Sequence, residues 1–120
     1  MPIKILLVDD EPEVLEFLKK RLEKEGFLVS TAKDGVEGLQ KAQSELPDLI
    51  LLDIIMPNKD GFTMLKELRA EESLRSIPVI IVTAKGETSA VFEGQELRAT
   101  DYLIKPVDFE QLLKYIRRYT

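Results

Sequence analysis

Five residues stand directly after apolar runs and carry groups that hold or transfer charge. Asp9 and Asp10 follow the run Ile3 to Val8, Asp53 follows Leu49 to Leu52, Thr83 follows Pro78 to Val82, and Lys105 follows Tyr102 to Ile104. A residue that ends an uninterrupted apolar strand is aimed by the packed core beneath it. Three carboxylates gathered in a crevice of reduced dielectric repel one another, and relief comes from protonation, from a divalent cation or from a lysine. Carboxylates joined by a backbone carbonyl and waters suit magnesium, which prefers oxygen ligands and keeps part of its hydration shell. The pattern therefore predicts a Mg2+ site with Lys105 beside it. Taken singly, each residue has a plainer role. One aspartate of the pair caps a helix beginning near Pro12, Lys105 before Pro106 is a turn, and Thr83 is a strand-end hydroxyl. The combination, not any member, points to chemistry.

The elements that would position these groups follow from periodicity. The stretch from Ile3 to Val8 is a nearly unbroken apolar run, stopped by Asp9, Asp10, Glu11 and Pro12, and predicts a buried strand. From Pro12 to Glu25, Val14, Leu15, Leu18 and Leu22 recur at helical spacing, with an acidic first turn and Gly26 as the stop. Phe27 to Thr31 predicts a second strand. Val36, Leu39, Ala42 and Leu46 would line one face of a second helix ending before Pro47. Asp48 to Asp53 predicts a central strand covered on both faces, and Pro57 to Gly61 carries turn chemistry. Phe62, Leu65 and Leu68 mark a third helix, and Pro78 to Thr83 another solid strand. Residues 87 to 98 carry only the thin stripe Val91, Phe92 and Leu97, which gives a fourth helix. Tyr102 to Ile104 is a short strand. Asp108 and Gln111 have capping-box spacing ahead of a last helix striped by Phe109, Leu112, Leu113 and Ile116.

Five strands alternating with five helices require right-handed crossovers and a parallel sheet between helical layers, an α/β fold. No linker, repeat or low-complexity tract interrupts the pattern, so residues 1–120 are expected to form one domain. In such a sheet ligands sit beyond the carboxyl ends of the strands, where all five residues fall.

Composition removes other chemistries. The 120 residues include 22 acidic and 17 basic ones, no Cys, no His and no Trp. Without His there is no serine or cysteine triad, imidazole acid-base step or His-ligated metal, and a phosphohistidine cannot form within the chain. Any histidine chemistry must come from a partner. A net charge of −5 argues against direct binding of nucleic acid. No apolar run approaches the roughly 20 residues that span a bilayer, and no signal-peptide layout is present, so a cytoplasmic location is expected.

The segments Leu7-Val8-Asp9-Asp10-Glu11, Leu52-Asp53-Ile54-Ile55-Met56-Pro57 with Asp60-Gly61, Val82-Thr83-Ala84, and Asp101-Tyr102-Leu103-Ile104-Lys105-Pro106 together resemble the receiver domain of two-component response regulators, in particular the free-standing chemotaxis regulators. The resemblance covers essentially the whole chain. It implies a flavodoxin-like, doubly wound (βα)5 fold with a five-stranded parallel sheet in the order 2-1-3-4-5. It also implies that Asp53 takes a phosphoryl group from a phosphohistidine on a sensor histidine kinase or phosphotransfer protein. Asp10, Asp53 and the backbone carbonyl of Ile55 would hold Mg2+, with Asp9 acting through water. Lys105 would pair with a phosphoryl oxygen, Thr83 would donate its hydroxyl to another, and Tyr102 would act as the switch aromatic. The Lys105-Pro106 bond would be cis. Such a domain signals and is not a turnover enzyme, beyond its own Mg2+-dependent phosphorylation and slow dephosphorylation.

Two departures from the family pattern stand out. Arg98-Ala99-Thr100-Asp101 occupies the place of a common Gly-Ala-Asp-Asp, so the end of the fourth helix is expected to close differently. The two tuning positions, two residues after Asp53 and two after Thr83, are Ile55 and Lys85. An apolar Ile55 cannot orient water, which implies a long-lived phosphorylated state. Lys85 would either orient water or hold phosphate.

Competing classes fit less well. Haloacid-dehalogenase-like phosphatases need a second acid two residues after the nucleophile, where Ile55 stands. A flavin carrier would need a phosphate loop where Asp9, Asp10 and Glu11 repel anions. A receiver-like module that takes no phosphate would lack one of the required residue types, and all are present. The output is open: a free-standing regulator, or a piece of a longer protein, docking a downstream target or a second copy through the face of the fourth helix, the last strand and the last helix.

Overall fold

The structure is a computed structural model and describes residues 2–54, 61–83 and 98–120. Chain order gives β1 (Lys4–Val8), α1 (Pro12–Lys24), β2 (Leu28–Ala32), α2 (Gly35–Glu45), β3 (Leu49–Leu52), α3 (Gly61–Ala70), β4 (Val79–Thr83), β5 (Asp101–Ile104) and α4 (Phe109–Tyr119). All five strands pair in parallel in the order β2-β1-β3-β4-β5, the order that the receiver resemblance implied. The helix expected over 87–98 lies outside the described residues.

Side chains alternate between the two faces of each strand, and the apolar runs fill both layers. Leu6, Val8, Ile50, Leu52, Val79 and Ile81 face α2 and α3, where Ala42, Met64, Leu65 and Leu68 meet them. Ile5, Leu7, Leu49, Leu51, Ile80 and Val82 face α1 and α4, against Leu22, Leu112, Leu113 and Ile116. Because the interior strands are covered on both sides, a continuous apolar run rather than an alternating one encodes them.

The helix faces depart from expectation in one place. Val36 and Leu46 are exposed, at 45% and 53%, so they do not belong to the buried stripe of α2. That helix packs instead through Gly35, Gly38 and Ala42. It lies so close that a Cβ on Gly38 would stand 2.9 Å from Met64 Cε and 3.1 Å from Val8 Cγ2, and large side chains there have no room.

Helix starts also differ. Neither Asp9 nor Asp10 caps α1: Glu11 holds the N-cap position without a side-chain cap bond, and Pro12 follows it. The capping box at Asp108 and Gln111 does not form, since Asp108 caps α4 without a side-chain bond, and the buried stripe docks this helix. The α2 start is capped, unexpectedly, by Asp34, whose Oδ1 accepts the Glu37 N–H at 2.9 Å while Glu37 Oε1 accepts the Lys33 N–H at 2.8 Å.

Ahead of β5, Arg98 takes a left-handed backbone conformation, φ 64°. The chain therefore turns as a glycine would, although no glycine is there. Its carbonyl accepts a hydrogen bond from Arg69 Nε at 3.0 Å, and Arg69 Nη1 also donates to the carbonyls of Ile77 and Arg75, at 2.8 and 3.1 Å. Burial and the neighbouring Arg98 hold the Arg69 pKa below its usual value. Leu46, the C-cap of α2, is likewise left-handed at φ 49°.

A non-glycine residue in this region costs roughly 1–2 kcal/mol, of which glycine's greater freedom in the unfolded chain returns roughly 0.5–1. Leu46→Gly and Arg98→Gly are each expected to raise stability by about 0.5–1 kcal/mol in urea unfolding. A lower unfolding midpoint for both would show that these turns are not strained.

Candidate functional site

The site begins with two adjacent strands. Val8 of β1 is in register with Leu52 of β3, so the residues that follow, Asp9 and Asp53, emerge side by side. Their backbones remain tied to the sheet: Asp9 N–H donates to Ala32 O at 3.1 Å and Asp53 N–H to Val8 O at 2.9 Å. Both side chains are buried, whereas Asp10 and Glu11 are exposed. One carboxylate oxygen from each of Asp9, Asp10, Glu11 and Asp53 lies within 4.8 Å of all the others.

Lys105 answers this charge from the far side of the sheet. Its Nζ lies 2.9 Å from Asp9 Oδ2, 3.3 Å from Asp53 Oδ2 and 3.7 Å from Glu11 Oε1, with the lysine side chain 21% exposed. Asp9 Oδ1 is occupied separately, accepting the Glu11 N–H at 3.0 Å. Burial is the largest single influence on the lysine and lowers its pKa. Hydrogen bonding to and attraction by Asp9, with the same from Asp53, outweigh burial together and hold the pKa above its ordinary value. The Lys105-Pro106 peptide bond is cis.

Gly61 closes one side. A Cβ there would stand 2.5 Å from both Asp53 O and Ile54 Cα, backbone atoms that cannot swing aside, and Gly61 N–H donates to Ile54 O at 3.2 Å. On the other side a cleft of about 680 Å3 runs between α1 and residues 105–107. Val14, Phe17, Leu18, Pro106 and Val107 line it together with Asp9, Asp53 and Lys105.

Among the predicted site residues, the structure brings Asp9, Asp10, Asp53 and Lys105 together. Thr83 ends β4, in register with Ile104. Tyr102 is half-buried on β5 and packs against the α2 and α3 layer of the core. Ile55 and Lys85 lie outside the described residues. Glu11 was missed as a site residue because its place before Pro12 marked it as a strand stop. Its proximity to Asp10 was the available signal.

The donor set is entirely oxygen, with no nitrogen or sulfur ligand in it, and carries more negative charge than one lysine offsets. A hard divalent cation of the Mg2+ type fits such a set.

The lysine generates a pH prediction. A group whose pKa is raised in the folded state stabilises that state fully below its unfolded value, near 10.5, and loses the effect as pH rises through the folded value. In metal-free buffer Lys105→Met is expected to lower stability by about 1–3 kcal/mol at neutral pH, less than a fully buried pair would because the ammonium is partly solvated. Urea unfolding of both proteins across alkaline pH checks this. The gap should hold below the unfolded lysine value and narrow above it, and a gap that closes well below that value would contradict the assignment.

Protein PilH of Pseudomonas aeruginosa is 43% identical over 113 residues, covering 94% of this chain and 93% of that protein. The transcriptional activator protein IrlR of Burkholderia pseudomallei is 41% identical over 115 residues, 96% of this chain but 49% of IrlR. The chain thus spans about half the length of several curated relatives that it matches. Among solved structures, Vibrio cholerae chemotaxis protein CheY4 superposes with a TM-score of 0.95 at 33% identity, covering 100% of both chains. The pattern of the response regulator receiver domain matches residues 5–117, and this chain belongs to that family.

Proposed function

We propose that the chain is a phospho-acceptor module in which Asp53 takes a phosphoryl group from a phosphohistidine on a sensor histidine kinase or phosphotransfer protein in the cytoplasm. In the transfer the P–N bond of the donor breaks, a P–O bond forms to an Asp53 carboxylate oxygen, and the imidazole departs with the electron pair and takes up a proton. The observation that carries this reading is the placement of Asp53, buried and 3.3 Å from the Lys105 ammonium, in a chain that contains no histidine. An ionised carboxylate cannot approach a phosphoryl group of the same sign unless positive charge offsets what accumulates.

Receiver domains generally bind Mg2+ at an acidic pocket. Here Asp10, Asp53 and the Ile55 carbonyl would hold the ion, with Asp9 acting through water, and it would neutralise the oxygens of the transferring group. Lys105 supplies a further positive charge and orients one phosphoryl oxygen. Thr83, at the end of the strand between β3 and β5, would donate to another, and its movement would draw the half-buried Tyr102 further inward. That change would be felt on the face of residues 87–98, β5 and α4, where a downstream protein or a second copy would dock. Ile55 would keep water from the acyl phosphate, and Lys85 would tune its lifetime. On this reading residues 1–120 act as one receiver unit, a signalling module and not a turnover enzyme.

Incubation with acetyl phosphate and Mg2+, followed by intact mass, tests the reading. One phosphoryl group should be gained, and it should be absent in Asp53→Ala and after chelation of the metal. An unmodified wild-type protein under these conditions would overturn it.

A further inference from the structure

Glu11 stands at the N-cap of α1, yet its carboxylate makes no cap hydrogen bond. It turns instead toward Lys105, with Oε1 3.7 Å from Nζ. Its side chain is 63% exposed, against 9% for Asp9 and 7% for Asp53, so it is free to follow a moving partner. Asp10 belongs to the same acidic group but forms no ion pair with Lys105 among the described residues.

The two residues that hold the lysine, Asp9 and Asp53, also belong to the acidic group that a cation would draw on. Asp9 Oδ1 accepts the Glu11 N–H, and Oδ2 accepts the Lys105 ammonium. Asp53 offers Oδ2 to the same ammonium. Engaging these oxygens elsewhere loosens the lysine, and a partly desolvated ammonium stripped of its counter-ions is costly.

We propose that Glu11 is a positioning residue for Lys105: its carboxylate receives the ammonium when the Asp9 and Asp53 oxygens turn to a divalent cation, keeping the lysine at the mouth of the site. The proposal rests on the cation-assisted reading above. It separates two effects of the Glu11 charge. Direct attraction for a cation does not depend on Lys105, whereas the hand-over vanishes without it.

A double-mutant cycle read by calorimetric Mg2+ titration, at low ionic strength and with no phosphoryl donor present, distinguishes them. Glu11→Gln is expected to weaken Mg2+ binding about fivefold when Lys105 is present, and about twofold or less in the Lys105→Met background. Equal factors in the two backgrounds would overturn the hand-over and leave the phospho-acceptor reading untouched. Absence of Mg2+ binding by the wild-type protein would instead overturn the cation-assisted reading, and the hand-over with it. Because Glu11 is exposed and makes no cap bond, its replacement by Gln should fold normally.

Discussion

Two buried carboxylates on neighbouring strands repel, and the sheet gives them no means of moving apart. Their backbones are hydrogen-bonded to β2 and β1, so the relative position of Asp9 and Asp53 is set by the ladder. At a separation of 4.8 Å or less and an effective dielectric of about 20, the repulsion is about 3 kcal/mol or more before any cation is counted. Lys105 offsets it from a distance. The lysine follows β5, and β5 is separated from β3 by β4, a gap of roughly 10 Å. A long side chain from the loop after β5 must therefore cross the end of β4 to reach the acids. Thr83 is the strand residue at that end.

Most of this organisation is visible in the linear chain for a simple reason. Interior strands of a parallel sheet are apolar on both faces, so their ends are marked by the first polar residue. Asp9 and Asp53 are such residues, while Lys105 follows the shorter run of the edge strand β5, and all three meet at one crevice. What the chain conceals is distance. Val36 and Leu46 have helical spacing with Leu39 and Ala42, but α2 lies so near α3 and β1 that glycine and alanine take the inner face. Capping is concealed for a similar reason. Asp108 has the right residue three positions later and makes no cap bond, while Asp34 makes one, because the side chain's surroundings decide which acid turns inward.

Arg98 shows a third limit. The absence of glycine suggested a different closure ahead of β5, yet the backbone there is left-handed all the same. The carbonyls of Arg98, Arg75 and Ile77 converge on the guanidinium of Arg69, a residue only 9% exposed. Three carbonyl acceptors give a buried cation hydrogen bonds without a carboxylate, and they fix the turn that leads into β5. Local residue preference is overridden because losing those bonds would cost more than one strained φ.

The two sides of Asp53 differ in a way that bears on its proposed chemistry. Toward α3 the Gly61 backbone leaves no room even for a methyl group. Toward α1 lies the cleft, with Val14, Phe17, Leu18, Pro106 and Val107 along its walls. Phosphoryl transfer gains most of its rate from positioning, so a protein donor of the proposed kind would need surface beside the acid on which to hold its reacting atom in line. Among the described residues the cleft is the side that offers such surface beside the acid. Lys105 belongs to both features, pairing with Asp9 and Asp53 while lining the cleft wall.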